Sequence, residues 1–288
     1  MGRLGARRVP GYYHTHRVGG ILLVDLIKAV ILGIVEGLTE FLPISSTGHL
    51  ILAEHYLNFQ GPLAITLAIF IQLGAILAVV WNYRRAIVDL VVSLPREARA
   101  QHMTRNLIIA FIPAAGIGFL FHDQITFYLF KPVVIATSLI IGGFIILWVE
   151  RRAIQPTTLV MEEMTARQAL WIGIAQIASL IPGVSRAGAT IIGGMLAGLQ
   201  RSPATEFSFW LAIPTLILAA FYELFSSLDT IQPGDWLVLA VGTVTSFVVA
   251  LVVIRAFLRY VRTKTLDPFG YYRIGLGILV LLLTWLWR

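Results

Sequence analysis

Glu36-Gly37-Leu38-Thr39-Glu40-Phe41-Leu42-Pro43-Ile44-Ser45-Ser46-Thr47-Gly48-His49 interrupts, at a proline, an apolar stretch that otherwise reads as a membrane helix. A second break of the same kind follows at Pro182-Gly183-Val184-Ser185-Arg186-Ala187-Gly188-Ala189-Thr190. Carboxylates, a serine cluster, a histidine and an arginine each cost several kcal/mol at membrane depth, so they are rarely placed there without a function. Interrupted hydrophobic segments in corresponding places of two halves point to a site in a membrane protein.

The rest of the chain supports a membrane setting. Its 288 residues are 58% hydrophobic and only 13% charged, about half the charge of a soluble domain. The apolar runs have helical length and lack the alternation of a membrane β-barrel, so an all-α, polytopic bundle is expected. The net charge of +7 sits mostly in loops, where it sets orientation and meets anionic headgroups; this argues against nucleic acid as a partner. With no cysteine, disulfides and thiolate metal sites are excluded.

Six stretches, near residues 63–81, 106–122, 132–149, 207–224, 236–258 and 270–287, are long enough to cross roughly 30 Å of hydrocarbon. Regions 21–57 and 168–200 remain, each an apolar stretch, a polar break and a second, short apolar stretch. Reading both as re-entrant pairs gives one pair plus three spans per half. Because three spans cross an odd number of times, the second half is inverted, so residues 21–150 and 168–288 form inverted repeats in a single membrane domain, 21–288. Both breaks share Pro-x-x-Ser, Pro43 to Ser46 and Pro182 to Ser185. Loops 82–105, 150–167 and 255–264 are arginine-rich, whereas 123–131 and 225–235 hold only Lys131. The positive-inside rule makes the arginine-rich loops cytoplasmic. The first pair then enters from outside and the second from inside, and their tips meet near the midplane. Residues 1–20, with Arg3, Arg7, Arg8 and Arg17, read as a flexible N-terminal extension; its arginines, on the outer side, run counter to this orientation.

Glu36 and Glu40 are one helical turn apart and share a face. Two such carboxylates repel unless a cation lies between them or one is protonated; oxygen ligands suit Mg²⁺ or Ca²⁺. A serine after a break is most often an N-cap, which accounts for one of Ser45, Ser46 and Thr47 but not for all three. Ser46 and His49 have the types of a nucleophile and its base, and the amides of a helix start favour an anion. Ser185, Arg186 and Thr190 repeat the theme. Gly183 and Gly188 allow close approach of backbone to a ligand, and the Arg186 guanidinium suits phosphate oxygens, although it also suits an ion pair with Glu36 or Glu40. Together these groups fit a phosphoryl group better than a carboxylate or a sugar, since in-line attack needs a nucleophile, a base and positive charge on the non-bridging oxygens. Nothing resembles a Walker A loop.

Residues Glu36 through Leu50, EGLTEFLPISSTGHL, and Pro182 through Thr190, PGVSRAGAT, resemble the undecaprenyl-diphosphate phosphatase family, also known for bacitracin resistance. Further likeness lies in residues 71–78, in Phe121-His122-Asp123 and in Glu206-Phe207-Ser208-Phe209, so that it covers roughly residues 21–288. The resemblance implies a bacterial inner-membrane phosphatase that converts undecaprenyl diphosphate and related prenyl diphosphates to the monophosphate and inorganic phosphate with a divalent cation. It implies a homodimer with its site open to the periplasm, Glu36 and Glu40 in metal or base roles, and Ser46 and His49 as nucleophile and its activator. Ser45, Thr47, Gly183, Ser185, Arg186, Gly188 and Thr190 would hold the diphosphate. Ala187 stands where the family usually carries a second serine, and Ala68 where it tends to carry an acid. Whether Ser46 or a water attacks, and whether His49 or a glutamate takes the proton, stays open. A secondary transporter or lipid-phosphate flippase with the same inverted-repeat fold is the alternative.

Overall fold

A computed structural model describes residues 19–152, 155–227 and 231–286. The arginines of the expected N-terminal extension, Arg3 through Arg17, lie outside the described residues. All the named elements are helical, and six of them are long and apolar enough to cross a membrane: α3 (Pro62–Ser93), α4 (Ala98–Leu120), α6 (Pro132–Arg151), α9 (Arg201–Ser227), α10 (Trp236–Tyr260) and α11 (Asp267–Leu286). The two interrupted regions form helix–turn–helix pairs, α1 (Gly19–Thr39) with α2 (Ser46–Tyr56), and α7 (Ala166–Ile177) with α8 (Arg186–Leu196). A short helix α5 (His122–Leu129) joins α4 to α6.

Spans begin and end near their expected limits, with two differences. The segment 82–105 is mostly helix rather than loop, because α3 continues past Tyr83 to Ser93 before α4 starts at Ala98. At 1.5 Å per residue, α3 is about 48 Å long, well beyond the hydrocarbon thickness. Its last turns carry Arg84, Arg85 and Asp89, which suit a helix that runs on past the apolar layer, since hydropathy marks the edge of that layer and not the end of a helix. His122 and Asp123, at the end of an expected span, instead open α5.

Both breaks have one local cause. At the first, Thr39 bonds back to the Val35 carbonyl and the chain turns through Pro43 to Ser45, whose φ is 70°. The Ser45 hydroxyl accepts from the Gly48 amide and starts α2. At the second, a 3₁₀ turn at Ala178–Leu180 leads through Pro182 and Gly183 (φ 93°) to Ser185 (φ 72°), whose hydroxyl accepts from the Gly188 amide and starts α8. The two caps match in backbone and bonding. The equivalent serines are therefore Ser45 and Ser185, one residue away from the Pro-x-x-Ser match with Ser46.

Helix α10 lies between α1 and α3, α7 packs on α4 and α8, α3 on α9, and α6 on α11. Small residues permit these approaches. A side-chain carbon on Gly33 or Gly37 would meet the backbone of Gly242 or Ser246 of α10 at 2.7 and 2.8 Å, and one on Gly143 the Gly270 carbonyl of α11 at 2.6 Å. At one end of the bundle, Arg201 at the start of α9 donates to both oxygens of Glu150, which also accepts from the Leu266 amide at 2.7 Å. This ties the end of α6 to the starts of α9 and α11.

Candidate active site

The two breaks meet. Ser185 Oγ donates to the Leu42 carbonyl at 3.4 Å, and a third element, α11, clamps both. Arg273, 1% exposed, donates from Nη1 to the carbonyls of Pro43 (3.1 Å) and Val184 (2.8 Å), and from Nη2 to that of Gly183 (3.0 Å). It also reaches the Ser138 and Leu139 carbonyls of α6. Five carbonyl oxygens from three segments thus surround one buried cation.

The charged groups converge beside this clamp. Glu40, 7% exposed, divides its two oxygens. Ser46 Oγ donates to Oε2 at 2.5 Å, and Arg186 Nη2 lies 3.5 Å from Oε1. Arg186, itself 9% exposed, also donates from Nη1 to the Ser208 carbonyl at 2.9 Å, and its guanidinium lies 5.7 Å from the Phe41 ring centroid. Behind it, Thr190 bonds to Ser208 Oγ at 2.7 Å and to the Arg186 carbonyl at 2.8 Å. A continuous polar chain results: Ser46, Glu40, Arg186, Ser208, Thr190. Two buried atoms of the cluster have no hydrogen-bond partner among the described residues, Arg186 Nε and Glu36 Oε2. One is a donor on a cation and the other an acceptor on a carboxylate, the pairing that a phosphate and a bound cation would satisfy.

Several residues have other partners than their types suggested. Ser46 and His49 do not bond to each other. The His49 ring bonds through Nδ1 to the Ser45 carbonyl and through Nε2 to the Tyr272 hydroxyl, both at 2.7 Å. Ser45 and Ser185 are occupied as caps. Gly183 and Gly188 do not open onto a ligand space: a side-chain carbon would meet the Ile135 carbonyl at 2.5 Å and Arg273 Nη1 at 3.0 Å, so the close approach is between protein groups. Thr190 is fully buried behind Arg186 and braces it. The side chain of Thr47, half-buried in α2, makes no hydrogen bond to another described residue. Ala187 is fully buried, so a hydroxyl there would need a partner within the core.

Three contributors were not singled out from the sequence: Ser208, Tyr272 and Arg273. The signal for Arg273 was present as a lone arginine inside an expected span. Ser208 lies within Glu206-Phe207-Ser208-Phe209, where residue types alone do not show that it faces Arg186.

The expected metal ligands are Glu36 and Glu40 alone. Among the described residues no group of three or more His, Asp or Glu side chains could hold a metal ion. An all-protein cage is therefore absent there, but two carboxylates, one with an orphaned oxygen, fit a Mg²⁺-type site whose remaining ligands are water and substrate phosphate.

The sequence pattern described as bacitracin resistance protein BacA matches residues 29–279. The chain belongs to this family. It is 52% identical over 258 residues to an undecaprenyl-diphosphatase of Pseudomonas syringae pv. tomato, covering 90% of this chain and 93% of that protein. An undecaprenyl-diphosphatase 1 of Stutzerimonas stutzeri is also 52% identical, over 261 residues, covering 90% of this chain and 94% of the relative. At 48% identity over 259 residues, a protein of the same name from Pseudomonas fluorescens covers 90% and 94%. The BacA-family match takes in both breaks and all six spans up to the last turns of α11.

Proposed function

We propose that this chain is a membrane undecaprenyl-diphosphatase that hydrolyses the lipid diphosphate to the lipid monophosphate and inorganic phosphate. The observation that carries the reading is the bonded chain Ser46–Glu40–Arg186, with the unpartnered Arg186 Nε beside it. A long prenyl tail cannot leave the bilayer, so the phosphate chemistry has to be brought to it. The tail would lie between helices while the headgroup meets the paired breaks.

In this mechanism Arg186 binds the non-bridging oxygens of the terminal phosphate through its free Nε–H. Ser46 Oγ attacks that phosphorus in line, and its proton passes to Glu40 Oε2, with which it already shares a hydrogen bond. The bond from phosphorus to the bridging oxygen breaks and the lipid monophosphate leaves. Water then attacks the phosphoserine, its proton passing towards His49 Nε2, one turn along α2; the bond from phosphorus to Ser46 Oγ breaks, Glu40 returns its proton to that oxygen, and inorganic phosphate leaves. Glu36 and Glu40 would hold a divalent cation, Mg²⁺ or Ca²⁺, which supplies charge neutralisation at the phosphate oxygens.

The fold reading belongs to the same proposal. α1, α2, α3, α4 and α6 correspond to α7, α8, α9, α10 and α11 in inverted orientation, with α1–α2 and α7–α8 re-entrant. In support, the α1–α10 contact has its counterpart in α7–α4, and α3–α9 and α6–α11 are self-paired. The arginine-rich ends then face the cytoplasm and the site opens to the periplasm. A homodimer is the assembly we infer from the family resemblance.

The test is phosphate release from a prenyl diphosphate by the purified protein in detergent, with and without a divalent cation. Arg186→Ala and Glu40→Ala are expected to lose at least about a hundredfold in rate. Turnover at the normal rate in both would overturn the assignment.

A further inference from the structure

Tyr272 touches the site from α11, a helix that contributes none of the residues expected to carry the chemistry. The Tyr272 hydroxyl lies 2.7 Å from His49 Nε2, and the two rings are nearly parallel, with an interplanar angle of 1° and centroids 5.6 Å apart. On the other side of the imidazole, Nδ1 lies 2.7 Å from the Ser45 carbonyl. A carbonyl only accepts, so Nδ1 carries a hydrogen. In the neutral ring Nε2 is then the acceptor, and the tyrosine hydroxyl is its donor. Because the hydroxyl hydrogen fills the single lone pair of Nε2, a proton from water reaches the ring through the phenol: the hydroxyl passes its own hydrogen to Nε2, takes one from the water, and then accepts from Nε2–H. The ring is therefore held at both ends in either protonation state.

We propose that Tyr272 relays the proton in the second step of the reaction: its hydroxyl, hydrogen-bonded to His49 Nε2, takes the proton of the attacking water as it gives its own to the imidazole. The proposal rests on the diphosphatase reading above. Ser45 sets the tautomer, and Tyr272 restrains the ring. The next residue on α11, Arg273, grips the backbone of both breaks. One turn of α11 thus fixes the loops and the histidine together, so the base keeps its position relative to Ser46. The phenol contributes a single hydrogen bond, and half of the residue is open to its surroundings at 48% exposure, so the hydroxyl is not part of the packed core.

Tyr272→Phe keeps the ring and removes only the hydroxyl. With a prenyl diphosphate, the expected result is a kcat about tenfold lower, the scale of one lost hydrogen bond, with KM changed less than about twofold. In a His49→Gln background the same change should cost nothing more, because Tyr272 acts through His49. Nitrogen-15 spectra of labelled protein provide a readout independent of turnover, the His49 signal being identified by its loss in His49→Gln. In Tyr272→Phe the Nε2 resonance should move to the value of a lone pair without a donor, while Nδ1 stays protonated. An unchanged kcat, a loss that multiplies with that of His49→Gln, or an unmoved Nε2 resonance would each overturn the proposal. Full turnover in His49→Gln would overturn it as well, while phosphate release by the wild type would leave the diphosphatase reading standing.

Discussion

Glu40 is the residue on which the site turns, since one oxygen holds the Ser46 proton and the other faces Arg186. Groups that act as one unit lose function together rather than in proportion. Ser46→Ala and Glu40→Gln should therefore each lower kcat by at least about a hundredfold, and the double variant should be little worse than either single one; multiplied losses in a phosphate-release assay would separate the two roles. Arg273 differs in kind, because its partners are all carbonyl oxygens and none is a carboxylate. Arg273→Met would leave those acceptors without a donor inside the bundle, with an expected loss of about 3 kcal/mol in stability, readable by thermal unfolding in detergent. The sequence marked Glu36, Glu40, Ser46 and Arg186 because charge and hydroxyls stand out against apolar neighbours. It could not assign the partner of Ser46. Helical spacing favours His49, but the left-handed turn at Ser45 places the carboxylate before the break within reach of the hydroxyl after it. Which groups face each other across a turn depends on backbone torsions that residue types do not encode.

Among the elements, length and hydropathy were enough to locate six spans and two broken pairs, since the thickness of hydrocarbon leaves few alternatives. The continuation of α3 beyond the apolar layer was not legible, because an exposed polar helix and a polar loop have similar compositions. Nor were the seams between helices, where backbone approach depends on particular glycines. Gly74 is a clear case. A side-chain carbon there would collide with the Thr243 carbonyl of α10, whereas on Gly275 of α11 or Gly116 of α4 it would meet nothing within 4 Å. Gly74→Ala is expected to cost about 2 kcal/mol by forcing α3 away from α10. Gly275→Ala should be neutral or stabilising by up to about 1 kcal/mol, the gain in helix propensity. Melting of the two variants side by side checks the contrast, and equal effects would mean that the α3–α10 seam is looser than described. Gly142 carries the same argument to the site itself, since a methyl group there collides with the Arg273 guanidinium. Gly142→Ala should therefore reduce phosphate release although residue 142 touches no catalytic group.

At the scale of the whole molecule, the two halves share a frame but not a chemistry. Aligned on their caps, Glu36 and Gln176 each precede the serine by nine residues, and Ser46 coincides with Arg186. The first break thus supplies the carboxylates and a hydroxyl, and the second supplies the cation. Gln176 is fully buried, and both of its amide atoms are unpartnered among the described residues, a neutral counterpart to the orphaned Glu36 oxygen. In the proposed inverted repeat these complementary sets come to one depth, and which side of the membrane they open to is set by the orientation of the chain, to which loop charge gives a testable sign. Because the chain has no cysteine, single cysteines report without interference. Thr126 of α5 and Glu97 between α3 and α4 are both exposed and lie at opposite ends of α4. A membrane-impermeant maleimide should label Thr126→Cys in intact spheroplasts and Glu97→Cys only after permeabilisation. The reverse pattern would invert the molecule and move the Ser46–Glu40–Arg186 site to the cytoplasmic side, where a lipid diphosphate in the outer leaflet could not reach it.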